Sequence, residues 1–491
     1  MIARGLLFAP LLSLALSACA APAPKGSDEP RRVAVELAPC RVPRSSEPAR
    51  CATYEVPEDR AASHGRRISL KVVVLPTLGP TTAPDAIFVL VGGPGQGAAS
   101  SLTGASGWLT ATARRERDVV FVDQRGTGSA NRLICRLGGD DRVAAGFRDL
   151  FPLDEIRACR ENLAQVADLR LYTTPIAMDD LDEIRAALGY DRIDLYGTSY
   201  GSQAALQYLR QHPRRVRTVT LAGVATPDAK QPLQFARAAQ DAMAALISDC
   251  AADAPCHTAF PRLPAEFDSV LASFTSGPVS FALSRAEGSE PIHMSRGVFV
   301  ERLRLMLYDL DDARRVPLLI HRAAAGDWVP FATSSPAGVA SSFSAMYMTV
   351  TCSETMAFIG EADVVRESRG TFVGEYRTRT HLAACREWPR ADIPSAYYEP
   401  VRSDAPVLIL SGELDAATPA RYGAAAARSL PNSRQVLIRN ASHAYWNDCT
   451  QVLVATFIAR GSARDLDTGC VRDLRRPPFV TEETPPTPGG S

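Results

Sequence analysis

The sequence has no His-x-x-x-His pair and no Cys-x-x-Cys pair, and its seven histidines are scattered. That argues against a metal centre. Surplus charge is also missing: 54 basic residues balance 54 acidic ones, and no basic block stands out. Nucleic acid and acidic surfaces are therefore poor partners for it. After the N-terminal segment there is no apolar run long enough to span a membrane and no internal repeat. The glycine-rich run "GGPGQG" at 92–97 lacks the Gly-Lys-Ser/Thr ending of a phosphate-binding loop. No cofactor is implied.

What is present is a chain of 491 residues, 46% hydrophobic, enough for one large domain and a substantial insertion. The start, "MIARGLLFAPLLSLALSAC", has a positive residue, Arg4, ahead of a short apolar run, Leu6 to Leu16. This reads as an export signal spanning 1–19. Leu16-Ser17-Ala18-Cys19 resembles the bacterial lipobox, which implies that Cys19 is lipidated and anchors the chain to a membrane. Residues 20–36 suit a flexible tether. The expected location is the cell envelope or periplasm.

Removing Cys19 from the eleven cysteines leaves ten, an even number, which in an exported chain suggests disulfides. They fall into five sequence-neighbour pairs: Cys40/Cys51, Cys135/Cys159, Cys250/Cys256, Cys352/Cys385 and Cys449/Cys470. That pairing is the expectation, and it assigns the cysteines to structure rather than catalysis.

Between 65 and 225, apolar β-branched runs alternate with helical patterns. The runs are "ISLKVVVL" (68–75), "AIFVLVG" (86–92), "DVVFVDQ" (118–124), "RIDLYG" (192–197) and "VRTVTLAG" (216–223). Continuous rather than alternating apolar runs suit strands covered on both faces, hence an α/β fold with a mostly parallel sheet. Residues 225–400 look mostly helical, and two strand-like runs follow at 405–415 and 433–443. Between them Thr418 is placed as the N-cap and Pro419 as the first residue of a helix. The economical division is a core at 37–224 and 401–476, a helical cap insertion at 225–400, and a disordered proline-rich tail at 477–491.

One stretch carries chemistry. "IDLYGTSYGSQAALQYL" joins a strand to a helix through Gly-Thr-Ser-Tyr-Gly, the context a nucleophile elbow requires, and makes Ser199 the candidate nucleophile. A serine needs a base and the base an orienting carboxylate. Asp415 and His443 follow late strands in the right order, at the carboxyl edge where a parallel sheet presents its ligands. The other histidines (His64, His212, His257, His293, His321 and His381) do not follow a strand in this way. Glu413 and Asp448 are rivals for the acid. The backbone amides of Gly93 and Tyr200 are the expected oxyanion donors, each worth ~3–4 kcal/mol in such sites.

"GGPGQGA", "DQRGTGSA", "GTSYGS" and "SGELDAATP…ASH" together resemble the proline iminopeptidase and tripeptidyl aminopeptidase group of α/β-hydrolases, in its exported branch with a TAP-like C-terminal region. The resemblance covers 65–224 and 401–460; it departs at Val91, where the group often has histidine. It implies an α/β-hydrolase fold and an aminopeptidase that releases residues or short peptides from free N-termini through an acyl-enzyme. Such an enzyme must read an α-ammonium, and Glu354, beside Cys352, is the expected carboxylate. Asp123 and Arg125 are expected to pin the loop that holds them. A carboxylester hydrolase or lipase could use the same triad, and a non-catalytic surface binding lipoprotein could keep the fold.

Overall fold

The computed structural model describes residue 1 and residues 35–80, 82–103, 107–109, 112–137, 147–285, 288–334 and 342–482. Cys19, the signal and nearly all of the tether lie outside the described residues, as does 483–491 of the tail.

In chain order the strands are β1 (Ala38–Arg41), β2 (Pro48–Pro57), β3 (Arg67–Leu75), β4 (Ala86–Leu90), β5 (Val119–Val122), β6 (Ile134–Arg136), β7 (Ile193–Thr198) and β8 (Val216–Ala222). There follow β9 (Val279–Arg285), β10 (Gly288–Met294), β11 (Ser342–Ser344), β12 (Val407–Gly412) and β13 (Ser433–Ile438). Nine of them form one sheet in the order β1-β2-β3-β5-β4-β7-β8-β12-β13. From β5 to β13 every neighbouring pair is parallel, while β1, β2 and β3 add an antiparallel edge. All seven strand-like runs are strands of this sheet.

The continuous apolar runs have a direct packing reason. In β4, Phe88 and Leu90 point into a cluster on one face with Leu206 and Leu209 of the helix Tyr200–Gln211. Ile87 and Val89 point into a cluster on the other face with Phe457 of the helix Asp448–Arg460. A strand buried on both faces has no polar side to alternate.

The segment 225–400 divides by packing. Its first part builds a third cluster, with Met243, Phe274, Phe299, Trp328 and Phe331 at its centre, around helices and the β9–β10 hairpin. Met346, Met348, Val350 and Cys385 instead join the cluster under the sheet. The tail also begins later than its composition suggests. Phe479 and Val480 pack against the insertion's core, and the Val480 amide donates to the Arg314 carbonyl at 3.0 Å. Apolar contact there outweighs the proline-rich composition.

All five neighbour pairs of cysteines are disulfides: Cys40–Cys51, Cys135–Cys159, Cys250–Cys256, Cys352–Cys385 and Cys449–Cys470. Such a set belongs to a chain exported to an oxidising compartment. Among the described residues no helix is long and apolar enough to cross a membrane.

Candidate active site

Strand β7 ends in a turn tight enough to demand its glycines. A Cβ on Gly197 would lie 2.3 Å from the Gly201 carbonyl oxygen, and one on Gly201 would lie 2.1 Å from that of Leu90. Between them Ser199 holds φ 54° and ψ −126°, the left-handed side of backbone space that a residue with a Cβ enters only under constraint. Two constraints are visible: its amide donates to the Ala222 carbonyl of β8 at 2.9 Å, and the helix Tyr200–Gln211 starts at the next residue. The Tyr200 amide, at the first position of that helix, has no intrahelical acceptor.

The loop after β4 closes on the same spot. A Cβ on Gly92 would lie 3.1 Å from the Ser199 Cβ, a tight contact that glycine avoids. Gly93 takes φ 115°, also a glycine conformation. Asp123 and Arg125 hold the surrounding loops. Asp123 accepts from the Ser100 amide at 2.9 Å. Buried Arg125 makes a bidentate pair with Asp180 and donates to the carbonyls of Glu58 and Leu171.

His443 lies beyond β13 and Asp415 beyond β12. His443 Nδ1 is 3.0 and 2.9 Å from the two Asp415 carboxylate oxygens. The carboxylate, fully buried, also accepts from the amides of Ala417 and Thr418 at 2.8 and 2.7 Å, and from the Thr418 hydroxyl at 2.8 Å. Burial alone would push this carboxyl up, but His443 and the two amides outweigh it and hold it below the usual range. Neither rival acid makes that contact. Glu413 is exposed and accepts from the Asn440 amide, and Asp448 is exposed in the first turn of its helix. The imidazole is 3.3 Å at Cε1 from an ideal Cβ on Gly223, the neighbour of Ala222 that receives the Ser199 amide. The His443–Asp415 pair thus lies at the sheet edge where β7 ends in Ser199.

Two expectations need correction. Thr418 is not an N-cap: the helix runs Ala420–Ala427 with Pro419 at its cap, and the Thr418 hydroxyl turns instead to Asp415, 3.1 Å from His443 Nδ1. The available signal was the spacing Asp415-x-x-Thr418, which lets one carboxylate collect the amides two and three residues on. Glu354 does not face a substrate. It sits on a π-helical turn, Thr351–Thr355, fully buried, accepting from the Thr174 amide and hydroxyl at 2.7 and 2.8 Å and from Tyr397 and Gln203. Burial raises its carboxyl to about 7 against the donors that surround it. A carboxylate so enclosed has no surface left for an ammonium group.

Sequence reasoning also missed Tyr308, which carries no motif. Its carbonyl accepts the His443 amide at 3.2 Å, and its ring meets the imidazole edge-to-face at 5.0 Å.

The matching family models agree with this architecture. Residues 85–243 match the α/β-hydrolase fold family and residues 370–470 the family of TAP-like proteins. The chain is 29% identical to serine protease Hip1 of Mycobacterium tuberculosis over 245 residues, 45% of this chain and 46% of that protein. It is 30% identical to tripeptidyl aminopeptidase of Streptomyces lividans over 195 residues, 37% of this chain and 36% of that one. It therefore spans less than half the length of these curated relatives. A crystal structure of proline iminopeptidase from Mycobacterium smegmatis aligns over 84% of this chain and 98% of that one, at 16% identity and a TM-score of 0.37. The chain has the α/β-hydrolase fold with a TAP-like C-terminal region.

Proposed function

We propose that the protein is a serine hydrolase that cleaves peptides from their free N-termini through an acyl-enzyme. The observation that carries this is the His443–Asp415 pair, at 2.9 Å, placed at the sheet edge where Ser199 is held in a strained elbow. In this reading His443 Nδ1–H donates to Asp415, which orients the ring and leaves Nε2 as the proton acceptor. Ser199 Oγ attacks the carbonyl carbon as its proton passes to Nε2, and the amides of Gly93 and Tyr200 donate to the oxyanion. The C–N bond then breaks as Nε2–H protonates the leaving amine. Water attacks the acyl-serine by the same route and restores Ser199.

The names of the relatives support a peptide rather than an ester as substrate. The disulfides support export, and the Leu16–Cys19 sequence supports a lipid anchor in the cell envelope. The experiment compares free-amine and N-acetylated aminoacyl and tripeptidyl anilides with simple esters, alongside labelling by a fluorophosphonate. Labelled wild type, unlabelled Ser199→Ala and turnover of free-amine anilides support the reading. Turnover of esters alone defeats the peptidase, and an unlabelled wild type defeats the hydrolase. Loss of membrane association in Cys19→Ser tests the anchor.

A further inference from the structure

Between the two walls of the site runs a continuous bridge of buried charge. On one wall, Tyr308 holds His443 through its carbonyl and ring. On the other, Tyr347 backs the glycine loop: its amide nitrogen is 3.4 Å from an ideal Cβ on Gly95. Arg304 donates to the Tyr308 hydroxyl at 2.7 Å and, through Nε and Nη2, to the two oxygens of Glu301 at 2.9 and 2.6 Å. Arg377 donates to the same carboxylate at 2.7 Å and to the Tyr347 hydroxyl.

Among the described residues the bridge is unbalanced. Two guanidinium groups share one carboxylate, and all three residues are at least nine-tenths buried. Burial pushes Glu301 up, but the two arginines outweigh it and keep it ionised. The adjacent His381 stays neutral and adds no further positive charge, because burial first and Arg377 second hold its imidazole well below the usual range. Tyr347 brings no negative charge, because burial raises its phenol above the usual range. Arg377 Nε has no acceptor among the described residues. Both guanidinium groups rest on the Phe235 ring, at 4.7 and 5.8 Å. A buried cation in excess of its anions is costly unless something negative completes it. Guanidinium groups pair best with carboxylates.

Resting on the hydrolase reading above, we propose that this bridge is an anion subsite that recognises a carboxylate of the peptide substrate, with Arg377 as its specificity-determining residue. The carboxylate comes either from an acidic side chain on the residue whose carbonyl is attacked or from the free C-terminus of a short leaving peptide.

Two substrate pairs separate these sources, assayed with the full chain: glutamate against glutamine at the acyl residue, and free acid against amide at the end of a leaving dipeptide. The expected result is a preference of tenfold or more in kcat/KM for the acidic member of one pair. That preference falls with added salt and collapses towards one in Arg377→Gln, while Arg377→Lys keeps part of it. Ratios near one in wild type overturn the proposal, and so does a preference that Arg377→Gln leaves intact. Should that variant not fold, calorimetry on Ser199→Ala decides: binding of glutarate in preference to glutaramide supports the subsite, and equal or absent binding overturns it. Because calorimetry needs no turnover, failure of the subsite is distinguishable from failure of the hydrolase reading.

Discussion

The Thr418 hydroxyl donates to Asp415 at 2.8 Å while lying 3.1 Å from His443 Nδ1, so a single side chain touches both members of the pair that would drive Ser199. The Thr418 amide binds the other carboxylate oxygen at 2.7 Å. The carboxylate is thereby held from several directions before it meets the imidazole.

Thr418→Val keeps the shape and amide but removes the donor. A hydrogen bond to a charged group is worth about 1.5–3 kcal/mol, so kcat/KM should fall roughly tenfold to a hundredfold. Thr418→Ser should retain most of the activity. Steady-state kinetics on the pair check this, and equal losses in both would refute the role of the hydroxyl.

The elbow at Ser199 stores strain of order 1–3 kcal/mol in a non-glycine residue at positive φ. Ser199→Gly should therefore be more stable than Ser199→Ala by about 1 kcal/mol, with both inactive. Gly201→Ala should lose stability, because its methyl would sit 2.1 Å from the Leu90 carbonyl oxygen. Urea midpoints of the three variants are the measurement.

Glu354 makes stability depend on pH. Its folded value of about 7 exceeds the ordinary 4.5, so the fold favours the protonated form. Its contribution is fully present below the ordinary value and is lost as pH rises through the folded one. Glu354→Gln should thus gain on wild type between pH 5 and pH 8, by up to about 3 kcal/mol. Asp415, held low, works in the opposite sense: its contribution disappears as pH falls. Denaturation at the two pH values tests the Glu354 sign; no relative gain at pH 8 would be inconsistent with it.

The disulfides should differ in worth. Cys352–Cys385 closes a separation of 33 residues and Cys250–Cys256 one of 6. Chain-entropy arguments give about 4 kcal/mol for the first and about 2 kcal/mol for the second. Paired Cys→Ser variants should show the larger drop in melting temperature for Cys352/Cys385, which also holds the turn carrying Glu354.

Much of this was legible in the residues. The parallel strands are doubly buried and so uninterrupted in hydrophobicity, and the glycines at 197 and 201 announce a turn that tolerates no side chain. The edge strands β1 and β2 were not legible, since their exposure leaves a mixed pattern. Tyr308 left no trace because its carbonyl and ring reach His443 only on folding, across a long stretch of chain with no local motif.

By itself, then, the sequence determined the sheet, the elbow and the order Ser199, Asp415, His443, because local periodicity and steric demand are written into neighbouring residues. Only the tertiary structure decided where the charges of the insertion go. Glu354 finds Thr174 at a separation of 180 residues and is buried, while Glu301 finds Arg377 at a separation of 76 and joins it to Arg304. A carboxylate's role depends on its donors and its distance from water, and the chain brings both to it only on folding.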